Sequence, residues 1–311
     1  MGLAAALALG PALAPPAAWA AAADRGLGDV SLVVAGQPRT YSLHRGRLAP
    51  RPAPLVIVLH GGGGRGRGIA AMSGFDAVAD EGGFVVAYPD GLEKAWSDGR
   101  AVRQPRGATM AQDLAFMAAL IDQQVAAGAV DPARVYATGI SNGAIFANTL
   151  GARLAERVAA IAPVAGSLPQ DLAPAFAPVH PVAVLQIHGD ADRYVPLAGG
   201  FVMDEAARGA VLGFEANLAL WARANRCPGP LTRSPLAARL PADPTRVERL
   251  AYGPGPGGVA VNGLLIHGGG HTWPGGTTPG LLKLLGVGRT SGQLDASRAI
   301  WGFFQQHRRV R

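Results

Sequence analysis

Cysteine occurs once in this chain, at Cys227, so no intramolecular disulfide can form and no cysteine cluster can hold a metal. Its place at the end of a helix-like run, Trp221 to Cys227, followed by Pro228, reads as packing and not as a nucleophile. Lysine is nearly absent too, found only at Lys94 and Lys283, and the formal charge of +7 therefore rests on arginine. No block of basic residues interleaved with aromatics accompanies that charge, which argues against a nucleic-acid partner. The densest basic cluster, Arg308-Arg309-Val310-Arg311, reads as a solvated terminus.

Long hydrophobic runs are missing as well. The apolar stretch Leu3 to Leu13 is short and broken by Gly and Pro, whereas about 20 apolar residues are needed to span a bilayer, so no membrane span is expected. The small-x-small tripeptide Ala18-Trp19-Ala20 follows it, and together they read as a signal peptide over residues 1–22, although no Lys or Arg precedes the run. Export to the periplasm or beyond is the expected fate, with residues 23–311 as a single catalytic domain.

What the chain does have is apolar residues (49%) and a mean hydropathy of +0.19, ample for a large core and incompatible with wholesale disorder. Val30 to Val34 and Thr40 to Leu43 predict a hairpin around Gly36-Gln37-Pro38. Pro54 to Leu59 is continuously apolar, as a strand covered on both faces must be. Strands at Phe84 to Tyr88, Val135 to Thr138, Ala159 to Val164, Val182 to Ile187 and Leu264 to His267 then alternate with helices. The helices are predicted at Ala70 to Asp80, Ala111 to Ala126, just after Ser141, Leu212 to Ala224 and Asp295 to Gln306. The alternation predicts an α/β fold: a mostly parallel, doubly wound sheet with helices on both faces. Pro228 to Pro244 and Thr272 to Gly288 read as surface loops.

Between a short strand and an Ala-rich helix lies Gly139-Ile140-Ser141-Asn142-Gly143. A sharp strand-to-helix turn needs small residues on both sides, and it would expose the Ser141 hydroxyl while setting the Asn142 amide at a helix N-terminus. A serine hydroxyl needs a base to remove its proton and an acid to orient that base. His188-Gly189-Asp190-Ala191-Asp192 and the sequence Gly268 to Pro274 around His271 both follow predicted strands. Asp192 is preferred over Asp190 as the acid, though either can be a turn residue. His271 is preferred as the base because three glycines before it permit an unusual loop path. The order Ser, Asp, His, with gaps of roughly 50 and 80 residues, is that of an α/β-hydrolase. The loop His60-Gly61-Gly62-Gly63-Gly64 lacks the Lys-Ser/Thr ending of a phosphate-binding loop and reads instead as the second half of an oxyanion hole. Gly62 is the expected donor, with Gly61 as the alternative, beside Asn142. No metal or organic cofactor is required by this chemistry.

These motifs, with Val86-Ala87-Tyr88-Pro89-Asp90-Gly91, Trp96-Ser97-Asp98-Gly99-Arg100 and His188 to Pro196, resemble the secreted polyhydroxybutyrate depolymerases, which are similar to feruloyl and acetyl-xylan esterases. The resemblance implies a serine carboxylesterase with Ser141, Asp192 and His271 as its triad. It also implies that Trp96 and Trp273 lie near the acyl pocket, and His60 is placed with them as a substrate-binding candidate. Core packing is the competing reading for both tryptophans, and a backbone-bonded role for the histidine. The substrate alternatives are a hydroxyalkanoate ester and a feruloyl or acetyl ester on plant polysaccharide. A non-catalytic binding protein that keeps the fold would be expected to carry a damaged triad, and here every part is intact.

Overall fold

A computed structural model of the chain describes residues 27–101 and 107–309. The expected signal peptide, residues 1–22, lies outside the described residues.

The chain opens with an antiparallel hairpin, β1 (Gly28–Val34) and β2 (Gln37–Arg45). Its turn is Ala35-Gly36, both in the left-handed region, and Pro38 lies inside β2 opposite Val33. The turn expected around Gly36-Gln37-Pro38 thus falls earlier, with Gln37 and Pro38 already in the strand. Two positive-φ residues make the tight turn whose twist suits a hairpin. Then come β3 (Ala53–Leu59), α1 (Gly66–Ser73), α2 (Phe75–Gly82), β4 (Val85–Pro89), α3 (Met110–Ala126), β5 (Val130–Ile140), α4 (Asn142–Arg153), β6 (Ala160–Val164) and β7 (Ala183–Gly189). The one helix expected over Ala70 to Asp80 is two, because Gly74 takes a left-handed conformation (φ 65°) that ends α1 and starts α2. A small two-stranded sheet follows, β8 (Gly199–Phe201) with β9 (Ala210–Leu212), and after it come α5 (Phe214–Ala224), β10 (Thr232–Pro235), β11 (Arg246–Ala251), β12 (Val261–His267), α6 (Gly280–Leu284) and α7 (Ala296–Phe304).

Ten strands form one sheet in the order β1-β2-β4-β3-β5-β6-β7-β12-β11-β10. The central six, β4 to β12, are parallel, while antiparallel pairs close both margins. The stretch Pro228 to Pro244, expected to be loop, therefore contains an edge strand, and its partner β11 follows. Arg246, Glu248 and Arg249 hide β11 from a hydrophobicity reading, since only Val247 and Leu250 turn inward. The edge itself is β10, only four residues long, and a short edge strand offers little for further pairing. Likewise α6 interrupts the loop expected over Thr272 to Gly288.

The core has two layers, one on each face of the sheet. Leu55, Ile57 and Leu59 of β3 pack with Phe116 of α3, Phe146 of α4 and Trp221 of α5. Val56 and Val58 point the other way, towards Phe75 of α2 and Ile300 and Phe304 of α7. Burial on both faces is why β3 has no polar alternation. Adjacent strands β3 and β5 send the chain to opposite faces, β3 into α1 and β5 into α4, and a crevice opens between their carboxyl ends. Sites of open parallel sheets sit at such a reversal.

Candidate active site

Ser141 occupies that crevice. It has φ 57° and ψ −124°, a conformation that a non-glycine residue adopts only where the surroundings enforce it. The enforcement is steric. A Cβ on Gly139 would meet the Leu59 carbonyl oxygen at 2.6 Å, and one on Gly143 would meet the Leu59 and His60 carbonyl oxygens at 2.5 Å, so β3 presses against the turn on both sides of the serine. The Ser141 amide donates to Val164 O at 3.1 Å, and its carbonyl accepts from Ile145 N at 2.9 Å. Its hydroxyl makes no capping bond to α4 and stays half-buried at the mouth of the crevice.

The glycine loop lies against this turn. Gly61 is close enough that a Cβ there would sit 3.3 Å from Ser141 Cβ, and a Cβ on Gly62 would sit 3.9 Å from Asn142 Cβ. Both expected donor positions, Gly62 and Asn142, are thus brought together. The next amides are already engaged, Gly63 N–H with Lys94 O at 2.7 Å and Gly64 N–H with Gly61 O at 3.0 Å, which fixes the loop path.

His60, Trp96 and Trp273, the substrate-binding candidates, are each held by internal contacts. His60 is buried, and its Nδ1–H donates to Gly61 O at 2.8 Å while its Nε2 accepts from Gly91 N at 3.0 Å. Burial lowers its pKa, so the ring is neutral and serves as a brace for the glycine loop. Trp96 is buried, donates from Nε1 to His60 O at 3.0 Å and stacks on Phe146. Trp273 is buried on the other face, donating to Ser297 Oγ at 3.1 Å with its edge towards Phe75. All three support the loops from behind, because each polar atom already has an internal partner and each ring is committed to packing.

The acid and base come from the ends of β7 and β12, neighbours in the sheet on the same edge as β5. His271 Nδ1–H donates to Asp192 Oδ2 at 2.7 Å, with side-chain exposures of 8% and 0%. That bond leaves His271 Nε2 as the acceptor nitrogen. Asp192 Oδ1 accepts from the amides of Tyr194 (2.8 Å) and Val195 (2.9 Å). Burial alone would raise the Asp192 carboxyl, but the hydrogen bond and charge of His271, with the nearby His188 and the Val195 amide, hold it below the ordinary carboxylate value. His188 Nε2 donates to Val195 O at 2.9 Å and approaches Asp192 Oδ2 at 3.5 Å. Burial depresses the His188 imidazole and keeps it neutral. Tyr194 stacks on His271, ring centroids 5.0 Å apart, and its hydroxyl donates to Leu285 O at 2.6 Å just beyond α6.

Asp190, the rejected acid, is paired with His267, Nδ1 to Oδ2 at 2.9 Å, on the surface. Sequence reasoning missed the roles of His188 and Tyr194, the first bonded within its own loop and the second stacked on His271 only once β7 and β12 are side by side. It also missed Asp98 and Arg100 as more than a motif, where opposite charges two residues apart around a glycine were the available signal. Among the described residues, no group of three or more His, Cys, Asp or Glu is arranged to hold a metal ion, and no helix is long and apolar enough to cross a membrane.

A turn-borne serine with a glycine loop against it, and a buried Asp–His pair, all follow carboxyl ends of parallel strands of one sheet. Residues 48–215 match the model of the phospholipase/carboxylesterase family. The chain belongs to that family. This carboxylesterase is 35% identical over 277 residues to NocK of Nocardia uniformis subsp. tsuyamanensis, assigned as an esterase, covering 86% of this chain and 79% of that one. It is 30% identical over 198 residues to feruloyl esterase B of Piromyces equi, which covers 61% of the carboxylesterase but 34% of the relative. A shorter match, 32% identical over 120 residues, joins 38% of the chain to 28% of poly(3-hydroxyalkanoate) depolymerase C of Paucimonas lemoignei. The acetyl xylan esterase structure from Aspergillus awamori superposes with a TM-score of 0.55 at 15% identity, covering 79% of this chain and 94% of that one, a likeness of fold alone. The carboxylesterase is accordingly an α/β-hydrolase acting on carboxylic esters.

Proposed function

We propose that this carboxylesterase works through an acyl-enzyme on Ser141, with His271 as general base and Asp192 as the group that orients it. The observation that carries the reading is the buried 2.7 Å bond from His271 Nδ1 to Asp192, which leaves Nε2 as the proton acceptor on the sheet edge that also bears the strained serine. His271 Nε2 takes the Ser141 proton as Oγ bonds to the ester carbonyl carbon. The resulting oxyanion is held by the amides of Asn142 and Gly62, one of them at the N-terminus of α4. The tetrahedral adduct collapses, the alcohol leaves with the proton from His271, and water, deprotonated by the same ring, releases the acid. Ser141→Ala should lower kcat on a short-chain p-nitrophenyl ester by about 10,000-fold or more with an unchanged fold; wild-type turnover in that variant would reject the assignment.

For the substrate, the reading is an ester of aliphatic hydroxy acids, of the kind the depolymerase relative's name describes. A specific feature supports it: Leu281, Leu284 and Leu285 are exposed on and beside α6, next to the Leu285 carbonyl that anchors Tyr194 over His271. Exposed aliphatic clusters beside a site suit an apolar chain. The match to feruloyl esterase B supports the rival, a feruloyl or acetyl ester on plant polysaccharide. A parallel assay on a hydroxybutyrate oligomer, methyl ferulate and acetylated xylan separates them, and a kcat/KM highest on either plant ester would overturn the aliphatic reading. We further propose that residues 23–311 act as one exported catalytic unit behind a leader over residues 1–22, which N-terminal sequencing of the protein recovered outside the cytoplasm tests; a retained leader would refute it.

A further inference from the structure

The segment Trp96 to Arg100 is unused by the chemistry above, yet it carries a buried charge pair against the nucleophile turn. Asp98 is 2% exposed as a side chain and Arg100 11%, and the guanidinium grips the carboxylate through Nε to Oδ1 and Oδ2 (both 3.0 Å) and Nη2 to Oδ2 (2.7 Å). The same Oδ2 accepts from Asn142 Nδ2 at 2.8 Å. Asn142 is otherwise bound to the same segment, Nδ2 to Trp96 O at 2.9 Å and Oδ1 from Trp96 N at 2.8 Å. Two turns further along α4, Thr149 Oγ1 donates to the Asp98 carbonyl. The segment is itself anchored from behind, since Ser97 N donates to Asp113 Oδ2 at 2.8 Å and Asp113 is paired with the buried Arg39 at 2.8 Å.

From this geometry we propose that Asp98 is a positioning residue: it locks the Asn142 side chain, and with it the first turn of α4, so that the Asn142 amide points at the developing oxyanion. The proposal rests on the reading of Ser141 as nucleophile and Asn142 as donor. Three facts converge on it. Asn142 follows the nucleophile directly, so any rotation of its backbone moves the donor. Asp98 holds α4 at two points, by side chain to Asn142 and by main chain to Thr149, which fixes the rotation of the helix about its axis. A buried ion pair is a poor stabiliser compared with apolar packing, because the desolvation cost offsets most of the attraction, so its presence beside the turn is better explained by geometry than by stability. Such a residue acts when charge develops and not when substrate binds.

The test compares Asp98→Ala, Asp98→Asn, Asn142→Ala and the Asp98→Ala/Asn142→Ala double variant, using a p-nitrophenyl ester for turnover and a boronic acid as probe of the tetrahedral state. Losing one oxyanion donor outright typically costs about 100- to 1,000-fold, and misaligning one should cost less, so Asp98→Ala is expected to lower kcat by about 10- to 100-fold with KM within about twofold. The boronate inhibition constant should rise by the same factor as kcat falls. Asp98→Asn keeps an acceptor for Asn142 Nδ2 and should recover most of the loss. The double variant should be no worse than the poorer single, since each single already breaks the bond between the two side chains. If Asp98→Ala does not fold, Asn142→Ala breaks the same bond from the other side, together with the two to Trp96, and is expected to lower kcat by at least as much with KM held. The proposal is overturned if the loss falls on KM, if boronate affinity stays at the wild-type value while kcat drops, or if the two variants' losses multiply. Ser141→Ala run alongside distinguishes the causes: unchanged activity and boronate affinity there would mean that the nucleophile reading had failed, whereas their loss with an unaffected Asp98→Ala would mean that only the positioning role had.

Discussion

The loops after β7 and β12 meet twice, in two Asp–His pairs built from the same residue types. Asp192 and His271 are 2.7 Å apart with side chains 0% and 8% exposed; Asp190 and His267 are 2.9 Å apart with side chains 33% and 38% exposed. Distance does not separate them. Surroundings do: Asp192 receives two backbone amides, lies 3.5 Å from His188 and sits under the Tyr194–His271 stack, whereas Asp190 faces solvent and receives the Gly268 amide. In low dielectric a carboxylate beside an imidazole strongly favours one tautomer and the imidazolium that forms during turnover, while in water the same contact is screened and worth little. On the proposed mechanism, burial, and not pairing, is what distinguishes the acid–base couple from the surface contact.

The largest effect that bears on this contrast is the loss of the buried carboxylate. Asp192→Asn keeps shape and most hydrogen-bonding capacity, but the amide cannot stabilise the imidazolium and permits the wrong tautomer. The expected fall in kcat is about 1,000- to 10,000-fold, with KM little changed, measured by steady-state hydrolysis of a short-chain ester. A fall of less than tenfold would mean that the buried pair is no more functional than the exposed one.

That contrast also marks where the sequence was readable. Ser141 could be found because its turn is local: Gly139 and Gly143 are required by the contact with Leu59 and His60, and that requirement is written within five residues. The continuous apolar strands were readable for the same reason, since each is dictated by its own burial. Asp190 and Asp192 are two residues apart on one loop, and both end up hydrogen-bonded to a histidine, so no local pattern could show why Asp192 is the preferred acid until β7 and β12 were set side by side. The tryptophans show the limit from the other direction. A loop Trp can face a ligand or the core, and the partners that decide, Phe146 for Trp96 and Ser297 for Trp273, are 50 and 24 residues away along the chain, beyond any local pattern. The strand β11 escaped because Arg246, Glu248 and Arg249 break its apolar pattern, leaving only Val247 and Leu250 buried, one in each core layer, so that it resembles a solvated loop.

A second, smaller effect is thermodynamic. Because the folded-state pKa of Asp192 is depressed below the ordinary value of about 3.9, its ionised form stabilises the fold; that contribution is complete above the unfolded pKa and is lost as pH falls through the lower folded one. Asp192→Asn should therefore melt below wild type at pH 7, and the gap should close only when thermal scans are taken below about pH 4. A gap that closed between pH 6 and 5 would show that a histidine, and not this carboxylate, governs the difference.

The smallest effect belongs to the exposed pair. Asp190→Ala removes a contact that water screens, and pairs of this kind are worth about 0 to 1 kcal/mol, so the melting temperature should drop by at most a few degrees and kcat by less than twofold. The residue does more than face His267, however: Asp190 Oδ1 also accepts from Gly268 N at 2.7 Å, three residues before His271. If the path of that loop depended on the amide contact, kcat would fall well beyond twofold while KM held, and Asp190→Asn, which can still accept from Gly268 N but cannot pair ionically, would restore it. Equal, small effects from both variants would instead show that His271 is held by its bonds to Asp192 and Val287 alone, and that the outer pair is a surface contact with no share in the chemistry.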